Sequence, residues 1–358
     1  MDSQNKNYKK RILWKLAYLA FVALFLLSFS SEIKSQPGGA TQPFGDGIVA
    51  KRFFSSTVDN NNEVWFATES GIVSFNGSGW TLHNKNPKIN GTEVKNLVYA
   101  SSENKNELWM AGPNGATIVA SPVNAESESK IYSPENSKIV GANVKAIAVG
   151  NKGFRWFGTD KGISAYKGGN WLTNDYLERY PADIFQFYPL TTMAASSSGD
   201  TLYVGTLGGG VLRYYKNDVD AVSGASEYAI WGPILMPSDT VYSVHIAADG
   251  VQWIGTAKGV GKHSGHNTLD GWTTFDSKSG LADNSVRAIN SDTKGKLYFG
   301  TKNGLSIYDG KTFATYRVEN GLGSNNILTI AIDKNNVVWL GTDNGVTCYK
   351  NGQFTRYK

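Results

Sequence analysis

The stretch "DKNNVVWLGTDNGV" (Asp333–Val346) decides the fold, because other parts of the chain have the same shape. "DTKGKLYFGTKNGL" begins at Asp292 and "GNKGFRWFGTDKGI" begins at Gly150. All three keep an aromatic residue, a Gly-Thr pair and a closing glycine in the same order. A pattern that recurs within one chain is typical of repeat architectures, in which each copy forms one structural unit.

Seven copies of this pattern can be placed along the chain. They are anchored by Trp65, Trp109, Trp156, Tyr203, Trp253, Tyr298 and Trp339. Neighbouring anchors lie 41 to 50 residues apart, a period typical of β-propellers. Each copy reads as four short strands separated by turn signals such as Asn303-Gly304 and Asp309-Gly310. We therefore predict an all-β fold, a seven-bladed β-propeller of four-stranded antiparallel blades.

The recurring aromatic residue has a structural interpretation. A four-stranded sheet cannot bury both of its faces alone, whereas seven sheets arranged radially cover one another. We expect the anchor Trp or Tyr of each copy to be a wedge between two blades. The glycine that follows most anchors allows close approach of the next backbone.

The N-terminal segment differs in composition from the rest. Five basic residues within the first 15 positions precede the apolar run "LAYLAFVALFLLSFS" (16–30). This run is shorter than the roughly 20 apolar residues of a membrane span, and small polar residues follow it, as in a secretory signal peptide. An uncleaved N-terminal anchor is the alternative. The protein is therefore expected to be exported to the periplasm, to the cell surface or out of the cell, with membrane contact only through an uncleaved leader.

The predicted domain organisation follows from the leader and the repeats. It comprises a signal peptide or anchor at 1–35, a short linker at 36–44 and the propeller at 45–358, with repeats near 45–89, 90–140, 141–189, 190–238, 239–280, 281–321 and 322–358. Residues 1–35 hold six Lys/Arg and two Asp/Glu, so they account for most of the net charge of +5. The remaining chain is nearly neutral and has no basic run, which argues against nucleic-acid binding.

The repeat can be written D-x-x-G-x-[LVQ]-[WY]-[FLIV]-G-T-x-x-G-[LIV], preceded by GL-x-x-N as at Gly280–Asn284. It resembles the two-component regulator propeller repeat over about residues 45–358, most closely in copies three and five to seven. This resemblance implies a seven-bladed extracytoplasmic ring, as in sensor regions of hybrid two-component systems. A complete sensor continues into more repeats, a membrane helix and a kinase. We expect this sequence, which ends with its seventh copy, not to signal across a membrane by itself.

Departures from the repeat indicate a candidate binding surface, because the ring does not require them. The longest connection between an outer and an inner strand is "NDYLERYPADIFQFYPL" (174–190), which is rich in aromatic and charged residues. Such groups can stack on sugar rings or hold a peptide. The predicted ligand-binding residues are Tyr176, Arg179, Tyr180, Asp183, Phe187 and Tyr188. The alternative is that these aromatics only anchor the loop onto blades three and four.

Catalytic and metal-binding patterns are weak. His263 and His266 could offer two metal ligands, but no carboxylate or cysteine cluster stands beside them. His263 takes a slot that is aromatic in other copies, which favours a half-buried structural imidazole. We therefore predict no metal, no cofactor and no catalytic residue.

The predicted function is a non-enzymatic, monomeric propeller that binds an unknown oligosaccharide, peptide or envelope protein, or that scaffolds a cell-surface assembly. A sensor domain for a separately encoded kinase is a variant of this prediction. The alternative is a propeller lyase or glycan-active enzyme with its site on the loop face, since seven-bladed streptogramin lyases share a similar repeat.

Overall fold

A computed structural model describes residues 40–358 except 46–47, 86–92, 103–104, 122, 125, 151–152, 173–183, 197–200, 217–225, 233–234 and 265–269. The chain divides into two units, Met1–Pro37 and Gly38–Lys358, and the described residues belong to the second. The predicted signal peptide lies outside the described residues. In the described part of the chain, no helix is long and apolar enough to cross a membrane.

The structure contains a short first strand and seven four-stranded units, as the repeats predict. The short first strand is β1 (Ala40–Gln42), and a short helix, α1 (Ile184–Phe187), precedes the fourth unit. The first four units are built from β2 (Phe53–Val58), β3 (Val64–Thr68), β4 (Gly71–Phe75), β5 (Trp80–Leu82), β6 (Asn96–Ser102), β7 (Lys105–Gly112), β8 (Gly115–Ala120), β9 (Ser129–Tyr132), β10 (Val144–Val149), β11 (Phe154–Thr159), β12 (Gly162–Lys167), β13 (Asn170–Leu172), β14 (Leu190–Ala195), β15 (Thr201–Thr206), β16 (Val211–Lys216) and β17 (Ser226–Trp231). The last three are built from β18 (Val241–Ile246), β19 (Gln252–Thr256), β20 (Gly259–His263), β21 (Trp272–Phe275), β22 (Val286–Ser291), β23 (Leu297–Thr301), β24 (Gly304–Tyr308), β25 (Phe313–Tyr316), β26 (Ile327–Ile332), β27 (Val338–Thr342), β28 (Val346–Lys350) and β29 (Gln353–Tyr357).

Each unit is an antiparallel meander, and the seven units form a ring. Strand order within every blade follows chain order, from an inner strand to an outer strand. The inner strands β2, β6, β10, β14, β18, β22 and β26 contact one another in succession, and β26 contacts β2 again. The predicted seven-bladed β-propeller is therefore confirmed.

The core is divided into seven apolar clusters, one at each junction between blades. All seven anchor residues are buried, with at most 5% of the side chain exposed. Each lies in the cluster that joins its own blade to the next: Trp109 packs with Ile147 and Phe157 of blade 3, and Trp339 packs with Phe53 and Phe66 of blade 1. Burial of a large aromatic side chain at every junction stabilises the ring through apolar area removed from water.

Two sets of side-chain hydrogen bonds hold the anchor residues and the hairpins in place. The aspartate that opens the repeat turns the chain between the first two strands of a blade. Asp333 accepts hydrogen bonds from the amides of Asn335 and Val337 at 2.8 and 2.9 Å and from the indole Nε1 of Trp339 at 3.3 Å. In the hairpin between the second and third strands, Thr342 Oγ1 donates to the carbonyl of Gly345 at 2.7 Å. The polar groups of these tight turns are thus satisfied locally.

The Asn-Gly hairpins differ in detail from the sequence expectation. The Asn-Gly pairs suit two-residue hairpin loops, which need positive φ. In the sixth blade the two-residue loop is Lys302-Asn303, because Thr301 pairs with Gly304, and only the glycine has a positive φ, of 130°. A Cβ at Gly304 would lie 2.6 Å from the carbonyl oxygen of Tyr316. The glycine is therefore required both by its backbone conformation and by the approach of the outer strand.

The ring is closed by a strand in the segment predicted as a linker (36–44). Strand β1 pairs in parallel with β29, so that the last sheet has five strands. The amide of Phe44 donates to the carbonyl of Lys358 at 3.3 Å, and the amide of Lys358 donates to the carbonyl of Gln42 at 3.1 Å. The Phe44 ring packs against Phe53 and Tyr357, in blades 1 and 7. Side-chain packing between the first and last blades is thus reinforced by main-chain pairing.

Candidate functional site

One face of the ring carries the hairpins between second and third strands together with the connections from outer to inner strands. Main-chain hydrogen bonds join these two kinds of segment between neighbouring blades. The amide of Gly304 donates to the carbonyl of Asn325 at 2.8 Å, and the amide of Gly345 donates to that of Lys51 at 2.9 Å. We call this surface the hairpin face.

The seven inner strands surround a channel with a volume of about 570 Å³. Each inner strand begins at the hairpin face, so its first residues form the mouth of the channel there. In six of the seven inner strands, the second residue of the strand is the extra residue of a β-bulge. The seven equivalent residues, which we call the mouth ring, are Phe54, Lys95, Lys145, Thr191, Tyr242, Arg287 and Leu328.

Residue type varies at the mouth ring far more than at neighbouring positions. The residue before each member is always a buried hydrophobic one, such as Phe53, Val94, Val144 or Val286. The fold therefore fixes the preceding position through the core and leaves the mouth ring free. Variation of aromatic, cationic and hydroxyl groups at one place where seven strands converge is typical of a surface adapted to a ligand.

Side chains of the inner strands form hydrogen bonds with main-chain groups at the edges of neighbouring inner strands. Ser55 Oγ accepts from the amide of Leu97 at 3.0 Å, and Asn96 Oδ1 accepts from the amide of Ile147 at 2.9 Å. On another junction, Thr191 Oγ1 donates to the carbonyl of Val241 at 2.8 Å. These bonds tie neighbouring inner strands together and occupy edge groups that could otherwise pair with another chain. The channel wall is thereby a rigid support for the mouth ring.

Three cations lie in the mouth ring, on blades 2, 3 and 6. Lys95 Nζ is 3.6 Å from a carboxylate oxygen of Glu93, whereas Lys145 has no ion-pair partner among the described residues. Arg287 Nη1 donates to Asn326 Oδ1 at 2.7 Å, and the side-chain Nδ2 of Asn326 donates to Asp343 Oδ2 at 2.7 Å. Among the described residues that line the channel, none is acidic. The formal charge on the described channel lining is therefore positive, which favours an anion over a cation inside the channel.

The predicted aromatic residues are only partly within the described part of the chain. Tyr176, Arg179, Tyr180 and Asp183 lie outside the described residues. Phe187, at the end of α1, is 77% exposed, and Tyr188 is 41% exposed. The Tyr188 ring lies against Gly208 and Gly209 in the hairpin of blade 4, so a Cβ at Gly209 would be 2.7 Å from its Cγ.

The described end of the same connection also contains a buried aromatic residue, as expected if its aromatics hold the connection onto blades three and four. Phe185 is 3% exposed and packs in the cluster of Trp156 and Leu190, between blades 3 and 4. Phe185 thus fastens the loop, while Phe187 and Tyr188 remain at the surface beside Leu207, which is 43% exposed. We call Phe187, Tyr188 and Leu207 the aromatic patch. It lies on the hairpin face, since the Tyr188 ring contacts the hairpin between β15 and β16.

The histidines have structural surroundings. His263 is completely buried rather than half-buried, with Nδ1 at 2.6 Å from Gln252 Oε1. His266 lies outside the described residues. His245 Nε2 is 2.9 Å from Ser291 Oγ on the next blade, and burial lowers the pKa of this imidazole to about 4. Across the described residues, no three His, Cys, Asp or Glu side chains are grouped closely enough to hold a metal ion.

A Glu63, Ser74 and His83 trio is the nearest approach to a nucleophilic arrangement. Ser74 Oγ is 2.8 Å from His83 Nε2 and donates to Glu63. The hydroxyl lies between the other two groups, whereas nucleophile activation needs the imidazole in the middle. Ser74 is also fully buried, so no substrate reaches it. Burial lowers the pKa of His83 to about 4. This trio therefore has a structural role in blade 1.

Comparison with known proteins agrees with the repeat pattern. Residues 321–344 match the two component regulator propeller family. The resemblance inferred from the repeats is thus confirmed. No curated protein is a significant match to the sequence.

Solved structures show the same fold at low sequence identity. The extracellular domain of the putative hybrid two component system BT3049 from B. thetaiotaomicron has a TM-score of 0.63 at 18% identity, over 85% of this chain and 39% of that one. PorZ, a bacterial surface component of the type-IX secretion system of Porphyromonas gingivalis, has a TM-score of 0.63 at 19% identity, over 88% and 48%. A streptogramin B lyase has a TM-score of 0.62 at 16% identity, over 85% and 95%. This chain therefore spans about two fifths of the BT3049 domain.

The mouth ring was missed by reasoning from the sequence. Its signal is present, since each member follows the hydrophobic residue that opens an inner strand. Without the ring geometry, however, nothing distinguishes this position from the other variable positions of the repeat. The sequence approach instead found the aromatic insertion, which is visible because it interrupts the period.

Proposed function

We propose that this protein is an exported, non-enzymatic binding module that takes its ligand on the hairpin face. The observation that carries the proposal is the mouth ring, where seven positions that the fold leaves free converge on an open channel. Its volume of about 570 Å³ is within the roughly 300–1,000 Å³ of small-ligand sites. The exposed aromatic patch on the same face extends the surface available to an oligosaccharide, a peptide or an envelope protein.

The similar solved structures support this proposal in two respects. The BT3049 relative is an extracellular domain of a putative two-component system, which fits an exported sensor or interaction role. PorZ is a bacterial surface component, which fits a scaffold in the cell envelope. Neither relative assigns a ligand to this chain, because identities below 25% carry only the fold.

The enzyme alternative has less support from the channel. The streptogramin B lyase has a similar fold. However, the described residues that line this channel include no His, Asp, Glu or Cys, the groups that most often act as general acids, bases or nucleophiles. We therefore favour binding without turnover.

A binding screen tests the proposal. The purified protein is titrated with panels of oligosaccharides and peptides, and thermal stability and calorimetric heat are measured. A ligand specific for the folded state raises the melting temperature, and a concentration 100 times its Kd stabilises by about 2.7 kcal/mol. Tyr242→Ala and Tyr188→Ala should weaken binding, whereas Lys311→Ala, which truncates an exposed side chain in a hairpin between third and fourth strands, away from the hairpin face, should not. Chemical conversion of the bound ligand, or binding unaffected by either tyrosine, would contradict the proposal.

A further inference from the structure

The three cations of the mouth ring have a specific arrangement that follows from blade order. Lys95 and Lys145 are on adjacent blades 2 and 3, and Arg287 is on blade 6. In a ring of seven, blade 6 is three steps from blade 2 in one direction and three steps from blade 3 in the other. The guanidinium therefore lies across the channel from the lysine pair.

Of the three cations, Arg287 joins blade 6 to the segment that leads into blade 7 through Asn326, whereas the lysine pair makes no such bond in the described part of the chain. Two lysines at equivalent positions of adjacent blades repel each other, and no described acidic residue lines the channel to balance them. Glu93 offsets Lys95, and Asp343 interacts with the charge of Arg287 both directly and through Asn326, so Lys145 is the cation with no such acidic neighbour among the described residues. A cleft with one sign of charge and low-dielectric walls concentrates its potential on whatever enters. The missing partner is an anion with negative groups on both sides of the channel.

Aromatic and hydroxyl groups indicate what the anion is attached to. Phe54 and Tyr242 occupy mouth-ring positions on blades 1 and 5, next to the cations. Arg52 lies over the Phe54 ring at 5.1 Å and adds a further cation near the mouth. Deeper in the channel, Ser56 and Thr329 hydroxyls are 2.7 Å apart and keep further hydrogen-bonding capacity. Aromatic faces and hydroxyl groups together suit sugar rings.

We propose that the mouth ring binds a short oligosaccharide that carries carboxylate groups on separate sugar units. This inference rests on the proposed function. Arg287 is oriented by Asn326 and offers its remaining guanidinium donors to one carboxylate. Lys95 and Lys145 hold a second carboxylate as point charges across the channel. Phe54 and Tyr242 contact the sugar rings between them. A neutral sugar of the same length offers these cations no carboxylate.

Calorimetric titration of the full chain tests this assignment. The probes are short oligogalacturonides, neutral galacto-oligosaccharides of the same length and an acidic peptide of matched charge. We expect the oligogalacturonide to bind at least 10-fold more tightly than either of the other probes, with an affinity that falls as salt is raised. Lys145→Gln and Arg287→Gln should each weaken it by about 10-fold or more, which corresponds to about 1.4 kcal/mol.

Matched variants separate a charge effect from misfolding. Lys145→Arg keeps the charge and should retain binding, whereas Lys311→Gln changes an exposed lysine in a hairpin between third and fourth strands and should have no effect. Equal binding of the neutral probe, tighter binding of the acidic peptide, or unchanged affinity in both glutamine variants would overturn the inference. A neutral ligand that depends on Tyr242 or Tyr188 but not on the cations would overturn it while leaving the proposed function in place. Absence of binding by any probe would count against both.

Discussion

Replacement of Phe44 by alanine tests whether the N-terminal segment that carries β1 stabilises the closure of the ring through its side-chain packing. Phe44 is 4% exposed, and its ring centroid lies 5.4 Å from that of Phe53, 4.8 Å from Trp80 and 6.4 Å from Tyr357. It therefore packs against blades 1 and 7 at once. Truncation of a buried phenylalanine costs about 3–5 kcal/mol through lost apolar contact and the cavity left behind.

The expected change is measurable by thermal and urea unfolding followed by circular dichroism. At roughly 2 °C per kcal/mol for a long chain, Phe44→Ala should lower Tm by about 6–10 °C. Phe187→Ala is a matched control, because the same atoms are removed from a side chain that is 77% exposed, and it should change Tm little. If the two variants unfold at the same temperature, the Phe44 side chain does not contribute to closure, and the other members of the apolar cluster around Trp339 hold the first and last blades together.

Three further predictions concern the junctions and turns. Because the folded-state pKa of His245 is about 4 and the ordinary value is 6.5, the unfolded state binds the proton first as pH falls. The free energy of unfolding of the unaltered protein should therefore fall between pH 7.5 and 5, and His245 should account for about 2 kcal/mol of this fall. In His245→Asn the fall, measured by urea unfolding at both pH values, should be smaller by that amount. Gly341→Ala should destabilise by about 1–3 kcal/mol, since its Cβ would lie 2.9 and 3.1 Å from atoms of blade 1, whereas Gly79→Ala, with open space around it, should be neutral. Asp333→Ala should lower the free energy of unfolding by about 1–3 kcal/mol, because it leaves the buried indole N–H of Trp339 unpaired. Asp309→Ala, which alters an exposed turn, is the control and should lower it less in the same unfolding assay.

Much of the fold could be predicted because each blade has the same local requirement. An anchor such as Trp253 must recur once per blade to cover the next sheet, so the period of the pattern counts the blades. The turn aspartates and hairpin glycines recur for the same reason. The observed hairpin loop of the sixth blade, Lys302-Asn303, begins one residue before the Asn-Gly pair. The position of Gly304 is fixed by the carbonyl of Tyr316 as well as by the turn. A contact with the outer strand is invisible to the local turn rules.

The candidate site was predictable only in part. Phe187 and Tyr188 were found because the loop interrupts the repeat, and their exposure is a property of how Phe185 anchors that loop. Lys145 and Arg287 are separated by 142 positions in the chain. Their placement around one channel depends on the closure of seven blades, which no local pattern encodes.

By itself, the sequence determined the number of blades, the strand order and the residues that pack between sheets, because these follow from short-range periodicity and burial. Only the tertiary structure decided how the ring closes and which side chains meet at its centre. Strand β1 is three residues long and has no alternating pattern, so its pairing with β29 depends on where the last blade brings its edge. The mouth ring likewise exists only once the inner strands converge, and its positive charge is a property of that convergence.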